Sequence, residues 1–309
     1  MRPFAERLSS GDFVVTADLL PPRGPEPVVL DAAVVVGLRR HGIAVNVADM
    51  PSAALAQAAL GPAVALLQAG VEPILQITGR DRNRLALQAD LLAAHALGVR
   101  VVLCLTGDHT RFGDHPGAKP VFDLSSSELL AVVAGMNEGR TLAGGPLDRP
   151  TSFLAGAAVN PSQQPLEPQL HRALAKGRAG AGFYQTQPIF SAEDAVAFLQ
   201  AVAAVGLSAP VLVGTFLLES AAMARFMNEK VPGVVVPASV VAGLERSADP
   251  AGYGRGLARD LVEWARGAHA AGAVGGMSAT AASSAPPRPA GVHVMSLNRR
   301  AAVLEVLGG

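Results

Sequence analysis

The chain has 309 residues, half of them apolar, and its 25 Lys and Arg balance 25 Asp and Glu to a formal net charge of zero. No basic block breaks that balance, which argues against nucleic acid as a partner. No apolar run reaches the ~18 residues a membrane-spanning helix needs, and Met1 to Asp12 lacks the apolar core of a leader, so the expectation is a soluble, cytoplasmic protein.

The first apolar run, Phe13 to Leu19, is β-branched and aromatic and reads as a strand; Pro21-Pro22 ends it because neither ring can donate to a ladder. Further strand signals follow at Ile43 to Val47, Pro73 to Ile77, Val101 to Leu105, Phe153 to Val159, Gly182 to Thr186, Val211 to Phe216 and Gly291 to Leu297. Between them lie segments with helical spacing: Val28 to Arg40, Ala53 to Ala69, Arg84 to Leu97, Ser126 to Asn137, Glu167 to Arg178, Ala192 to Val205, Ser220 to Asn228, Ser239 to Leu244 and Tyr253 to Ala270. Such alternation over about 300 residues predicts one α/β domain, an eight-stranded β/α (TIM) barrel spanning residues 1–309. An open doubly wound sheet is the alternative, and the absence of a G-x-G-x-x-G turn after an early strand counts against it. From Ala271 to Ala290 the sequence turns to Gly, Ala, Ser, Thr and Pro with Arg288 as its only charge. Such a segment buries too little to order itself and reads as a flexible insertion before the last strand and helix.

The single cysteine, Cys104, lies inside an apolar run, which excludes an internal disulfide and a multi-cysteine metal cage and reads as a reduced core thiol. Polar residues collect at the ends of the predicted strands: Asp18, Asp49, Gln76 and Thr78, Thr106 and Asp108, Asn160, and Gln185 with Gln187. In a parallel barrel those ends converge on one face, where barrel chemistry is done. Each also has a plain structural reading. Asp18 and Asp108 suit turns, Asp81 suits a helix cap, Gln187 suits a backbone partner, and Lys176 suits the C-terminus of a helix. No His pair has zinc spacing and no Ser or Cys sits in a nucleophile elbow, so metal hydrolysis and acyl transfer are unsupported and no metal is expected. His41, His95, His171 and His269 fall in or beside helices; His109 and His115 flank a glycine-rich loop and are the better candidates for ligand contact.

Taken in order, Asp18-Leu19-Leu20-Pro21-Pro22-Arg23, Asp49-Met50-Pro51, Thr78-Gly79-Arg80-Asp81-Arg82-Asn83, Leu105-Thr106-Gly107-Asp108, the run Gly113 to Asp123, Asn160-Pro161, Lys176, Gln185-Thr186-Gln187-Pro188, Val231-Pro232-Gly233 and Gly291-Val292-His293 with Leu297-Asn298-Arg299 form a pattern. In this order and spacing the chain resembles the methylenetetrahydrofolate reductase family over nearly its whole length, 271–290 excepted. The resemblance implies a β/α barrel that binds FAD at its C-terminal face and reduces 5,10-methylenetetrahydrofolate to 5-methyltetrahydrofolate with NADH or NADPH, as a step of one-carbon metabolism and methionine biosynthesis. It implies Asp18 as the catalytic acid, Asp108, Gln187 and Gln185 as substrate contacts, and Thr78, Asp108, Asn160, Lys176, Gln76 and His115 as cofactor contacts. A homo-oligomer is compatible with the sequence, and no partner beyond the folate is implied.

Departures accompany the matches. The family's acid is usually Glu, and Asp18 is one methylene shorter; Thr106, Gln76, Ala48 and Gln169 replace flavin contacts of the better-known bacterial reductases. Two alternatives therefore stay open: hydride passed directly from NAD(P)H to the folate without flavin, and a low-activity folate-binding partner subunit. The sequence also leaves open whether the reaction runs in the oxidative direction.

Overall fold

The computed structural model describes residues 2–231, 233–274 and 288–308. In chain order the elements are α1 (Phe4–Ser9), β1 (Val14–Leu19), α2 (Ala32–His41), β2 (Ala44–Val47), α3 (Leu60–Gln68), β3 (Pro73–Thr78), α4 (Arg84–Ala96), β4 (Val101–Leu105), α5 (Ser126–Asn137), β5 (Leu154–Val159), α6 (Glu167–Arg178), β6 (Phe183–Pro188), α7 (Ala192–Ala204), β7 (Val211–Phe216), α8 (Ala221–Lys230), α9 (Ala238–Arg246), α10 (Pro250–Val274), β8 (Gly291–Met295) and α11 (Arg300–Val306). The eight strands close into a parallel barrel in sequence order, sealed where Val14 of β1 pairs with Gly291 of β8. The expected barrel is what forms.

Three expectations are corrected in detail. The helical segment from Ala53 to Ala69 resolves into a 3-10 turn at Pro51–Ala53 and a shorter α3, because Met50, Ser52 and Ala53 take positive φ and break the helix there. The N-terminal stretch, to which the sequence assigns no element, contains α1. Its Phe4 and Leu8 are buried, and the Phe4 ring meets Phe183 edge to face at 5.5 Å between centroids. The helix from Tyr253 runs on to Val274, into the segment expected to be a loop; residues 275–287 of that segment lie outside the described residues.

Apolar β-branched strands with helices between them produce two layers of core. Outside the barrel, strand residues such as Val45, Ile77, Val102 and Val213 pack against Leu38, Leu66, Leu87 and Leu129 of the helices. Inside, Phe4 of α1 caps a floor of Val14, Ala44, Ile74, Val101, Leu103, Phe183 and Leu212. Gly156 leaves room for the Phe183 ring, since a Cβ there would lie 2.3 Å from it. Above that floor the interior turns polar with Thr16, Asn46, Gln185 and His293, and above these it opens into a cavity at the C-terminal ends of the strands. Among the described residues no helix is long and apolar enough to cross a membrane, and no group of His, Cys, Asp and Glu could hold a metal ion.

Candidate active site

The cavity at the C-terminal rim has a volume of about 500 Å³ and gathers Asp18, Gln76, Thr78, Asp108, Lys176 and Gln187 from four strand ends and α6. Parallel strands all deliver their C-terminal residues to this rim, so residues far apart in sequence meet here.

Asp18 is the last residue but one of β1 and only 8% exposed. Its Oδ1 accepts from the Ser296 amide at 3.0 Å and the Ser296 hydroxyl at 2.8 Å, and its Oδ2 accepts from the Leu297 amide at 3.2 Å. Burial raises its pKa above the ordinary carboxylate value, and the hydrogen bonds from Ser296 and Leu297 only partly offset this. Asp108 follows β4 and is more exposed than Asp18; partial burial raises its pKa, with the Arg80 charge pulling the other way. Gly107, in the left-handed region at φ 89°, makes the turn that brings Asp108 over the cavity; a Cβ there would also press on Arg80 and Thr78 at 3.0–3.1 Å.

Thr78 ends β3, and both its amide and its hydroxyl donate to Asp49 Oδ2, at 2.8 and 3.0 Å. The same oxygen accepts from Arg82, which also reaches Asp90. Arg80 is 2% exposed and forks onto Asp81, while its Nη2 donates to the Met50 carbonyl. This holds the Met50 turn over the pocket. Asp81 is thus an ion-pair partner rather than a helix cap, and Asn83 caps α4 in its place. Met50, Ser52 and Leu297 all line the cavity with positive φ, a local strain of the kind that surrounding structure must hold at functional sites.

Lys176 projects from α6, where its Nζ donates to the Ala158 carbonyl at 2.8 Å; burial lowers its pKa. The side-chain amides of Gln76 and Gln187 and the Asp108 carboxyl have no hydrogen-bond partner among the described residues, so all face the cavity with their polar groups free. Cys104 also touches the cavity, but burial pushes its thiol up to about 12, which makes it an inert wall.

Three expected site residues lie elsewhere. Gln185 sits one layer below, 3% exposed, accepting from Asn46 at 3.0 Å and donating to Thr16 at 3.2 Å. Asn160 holds loops together, donating to the Gly233 carbonyl at 2.8 Å and accepting from the Ser162 amide. His115 is exposed and pairs with Asp114, which also binds Arg23 and the Leu55 amide, so it pins rim loops outside the cavity. His109 accepts from the Arg111 amide and caps a short turn.

Two participants carried no role in the sequence reading. Ser296 anchors Asp18, and His293 lines the cavity above the polar layer. The His293 Nδ1 lies 2.9 Å from the Thr16 hydroxyl and 3.1 Å from the Asn46 amide nitrogen; accepting from these donors assigns the proton to Nε2. Burial pushes the imidazole down to about 4, so it stays neutral at physiological pH. The signal was a lone histidine on an otherwise apolar strand, the pattern of a satisfied core residue as much as of a site. A consequence follows for stability. Between the ordinary imidazole value of 6.5 and about 4 the unfolded chain binds a proton that the native chain refuses, so stability falls as pH drops across that window. The expected loss is about 3 kcal/mol at ~1.4 kcal/mol per unit. Urea titrations at pH 7 and pH 4 check it, and His293→Gln, which keeps a hydrogen-bonding side chain, is expected to remove most of the difference.

The closed barrel and its buried acids on the C-terminal rim define a β/α-barrel protein whose polar site lies where barrel enzymes place theirs. The family model described as methylenetetrahydrofolate reductase matches residues 4–308, and the chain belongs to that family. No curated protein matches it. Among solved structures, an uncharacterized protein from Clostridium thermocellum that binds two copies of 5-methyl-5,6,7,8-tetrahydrofolic acid is similar with a TM-score of 0.63 and 11% identity, covering 98% of this chain and 97% of that one. DmoA from Hyphomicrobium sulfonivorans is similar with a TM-score of 0.54 and 9% identity, covering 95% of this chain and 86% of that one. At these identities the likenesses show the shared barrel fold.

Proposed function

We propose that the protein reduces 5,10-methylenetetrahydrofolate to 5-methyltetrahydrofolate with NADH or NADPH, with FAD in the rim cavity and Asp18 as general acid. The observation that carries this reading is a buried, pKa-raised carboxyl sharing one cavity with Asp108, Gln187 and Lys176. The folate-binding neighbour from Clostridium thermocellum supports a folate as the ligand class.

The chemistry needs a proton and then a hydride. Breaking the bond between the bridging methylene and N10 requires a proton on N10 and leaves an electrophilic iminium at N5; hydride addition to that carbon makes the methyl group. Asp18 suits the first step because burial keeps a proton on it closer to neutral pH, and the Ser296 and Leu297 donors fix where that proton is presented. Asp108 and Gln187 offer a free acceptor and a free amide to the polar edge of a pterin. His293 is a neutral wall that adds no charge near the developing cation.

A flavin ring fits this lining: the Gln76 and Gln187 amides and the remaining Lys176 N–H groups are free to hydrogen-bond a planar, electron-rich heterocycle. When bound, a flavin would supply the hydride, with NADH or NADPH as its source. Lys176 and Arg80 are the cations that would favour its reduced form.

A specific observation favours a second reading, direct transfer from NAD(P)H. The helix N-termini that would cradle a resident diphosphate are filled by the chain itself, α4 by Asn83 and Asp123 and α5 by the Ser125–Glu128 capping box. Thr106 accepts from the Ser126 amide and Gln169 donates to Gln163, so both are already partly engaged within the chain. The visible spectrum of the purified protein separates the readings. The flavin reading expects a yellow protein; a colourless protein that oxidises NADH with methylenetetrahydrofolate establishes direct transfer.

A further inference from the structure

A second cavity lies at the opposite end of the barrel from Asp18. It has a volume of about 750 Å³ and is walled by the C-terminal ends of α2, α3 and α4 and the start of α1. Five arginines line it, Arg2, Arg7, Arg39, Arg40 and Arg100, against one carboxylate, Glu72. In a chain whose charges balance overall, that concentration is local.

Ordinary structural roles account for only part of it. Arg100 donates to the His95 and Val99 carbonyls, and Arg2 pairs with Asp12. Arg39 and Arg40 are not needed to close α2, because the amides of Gly42 and Ile43 already satisfy the Arg39 and Leu38 carbonyls. Neither arginine side chain has a hydrogen-bond or ion-pair partner among the described residues, and interaction with the helix dipole is worth only ~0.3–1 kcal/mol. Arg7 is the more telling. Its guanidinium makes no ion pair or hydrogen bond among the described residues, and its Nε is fully buried with no partner. Glu72 attracts it but is engaged by the Phe4 amide at 2.6 Å. A guanidinium carries five N–H donors in a planar fork suited to phosphate oxygens, and leaving such a group desolvated and unmatched is unfavourable.

We propose that this basal cavity is a second binding site, for a ligand carrying two or more linked phosphates, held by Arg7, Arg39 and Arg40. Several guanidiniums around one hollow call for several negative charges in a compact group, which linked phosphates supply. The apolar surface of Val36 and Leu67 beside them would accept a base or other flat ring, so a nucleotide and an inorganic polyphosphate share the recognising chemistry.

Isothermal titration of the full-length protein with ATP, tripolyphosphate and citrate tests this. At low ionic strength, ATP or tripolyphosphate is expected to bind one per chain, more weakly as salt rises, and Arg39→Gln/Arg40→Gln, both exposed, is expected to weaken binding about tenfold or more. Asp18→Asn is expected to leave it unchanged, which separates this site from the rim. Tighter binding of ATP than of tripolyphosphate identifies a nucleotide, and equal binding identifies the polyphosphate alone. Absence of saturable binding by either, unchanged binding in the double variant, loss of binding with Asp18→Asn, or tighter binding of citrate overturns the proposal.

Discussion

Asp18→Asn is expected to lower turnover by about 10²–10⁴-fold, the usual worth of a positioned general acid, while changing KM for the folate by only a few-fold. The amide keeps the shape and its oxygen can still accept from Ser296; its Nδ2 cannot accept from the Leu297 amide, so the pH profile rather than turnover alone isolates the proton. The pH profile carries the sign. Because the Asp18 pKa is raised in the folded protein, the acid is protonated below that pKa and activity falls as pH rises through it. In the variant that limb should disappear. Steady-state kinetics across pH check both, and a variant with wild-type turnover and an unchanged profile would remove Asp18 from the proton step.

Asp49→Ala is expected to be the most damaging single change to the scaffold of the site, costing about 3–5 kcal/mol as the loss of one partner of a buried ion pair. The Asp49 side chain is 1% exposed, and it answers the Thr78 amide, the Thr78 hydroxyl and Arg82 together. Arg82 already has a buried Nε without a partner, so the variant would leave a half-buried guanidinium with only Asp90. Equilibrium urea unfolding measures the loss. Asp49→Asn, which keeps an acceptor for Thr78 but not the charge, should fall between the two, and a cost for Asp49→Ala below ~1 kcal/mol would mean Arg82 and Thr78 find other partners.

The barrel was legible because its two periodicities are: short β-branched runs, each followed by a helical pattern, can close only as parallel strands with helices outside. Ser126 to Asn137 and Glu167 to Arg178 match the observed helices at both ends, since the Ser125 capping box starts the first and the glycine turn at Gly180 follows the second. What was not legible depended on tertiary contact. Helix α1 is one short amphipathic turn whose meaning comes from Phe4 meeting Phe183 across the barrel floor. The break before α3 comes from positive φ at residues other than glycine, which no propensity announces.

The site divides along the same line. Strand-end positions such as Asp18, Gln76, Asp108 and Gln187 could be placed on one face by topology alone, and the cavity gathers them. Whether a polar side chain is free or already engaged could not be read, and that separates Gln187 from Gln185 and Asn160. The shortened acid receives a physical account too. Asp18 is positioned by donors on the loop after β8, so its place is set by Ser296 and Leu297 as much as by its own length.

Turning a methylene bridge into a methyl group is the reaction we propose for the rim cavity. Its most direct measurement is anaerobic incubation of the purified protein, with and without added FAD, with NADH and 5,10-methylenetetrahydrofolate, followed by chromatographic identification of the folate product. The expected result is 5-methyltetrahydrofolate formed in step with NADH consumed, and far more slowly with Asp18→Asn. Binding of the folate with neither NADH nor NADPH consumed and no 5-methyl product would contradict it and mark the barrel as a folate-binding subunit.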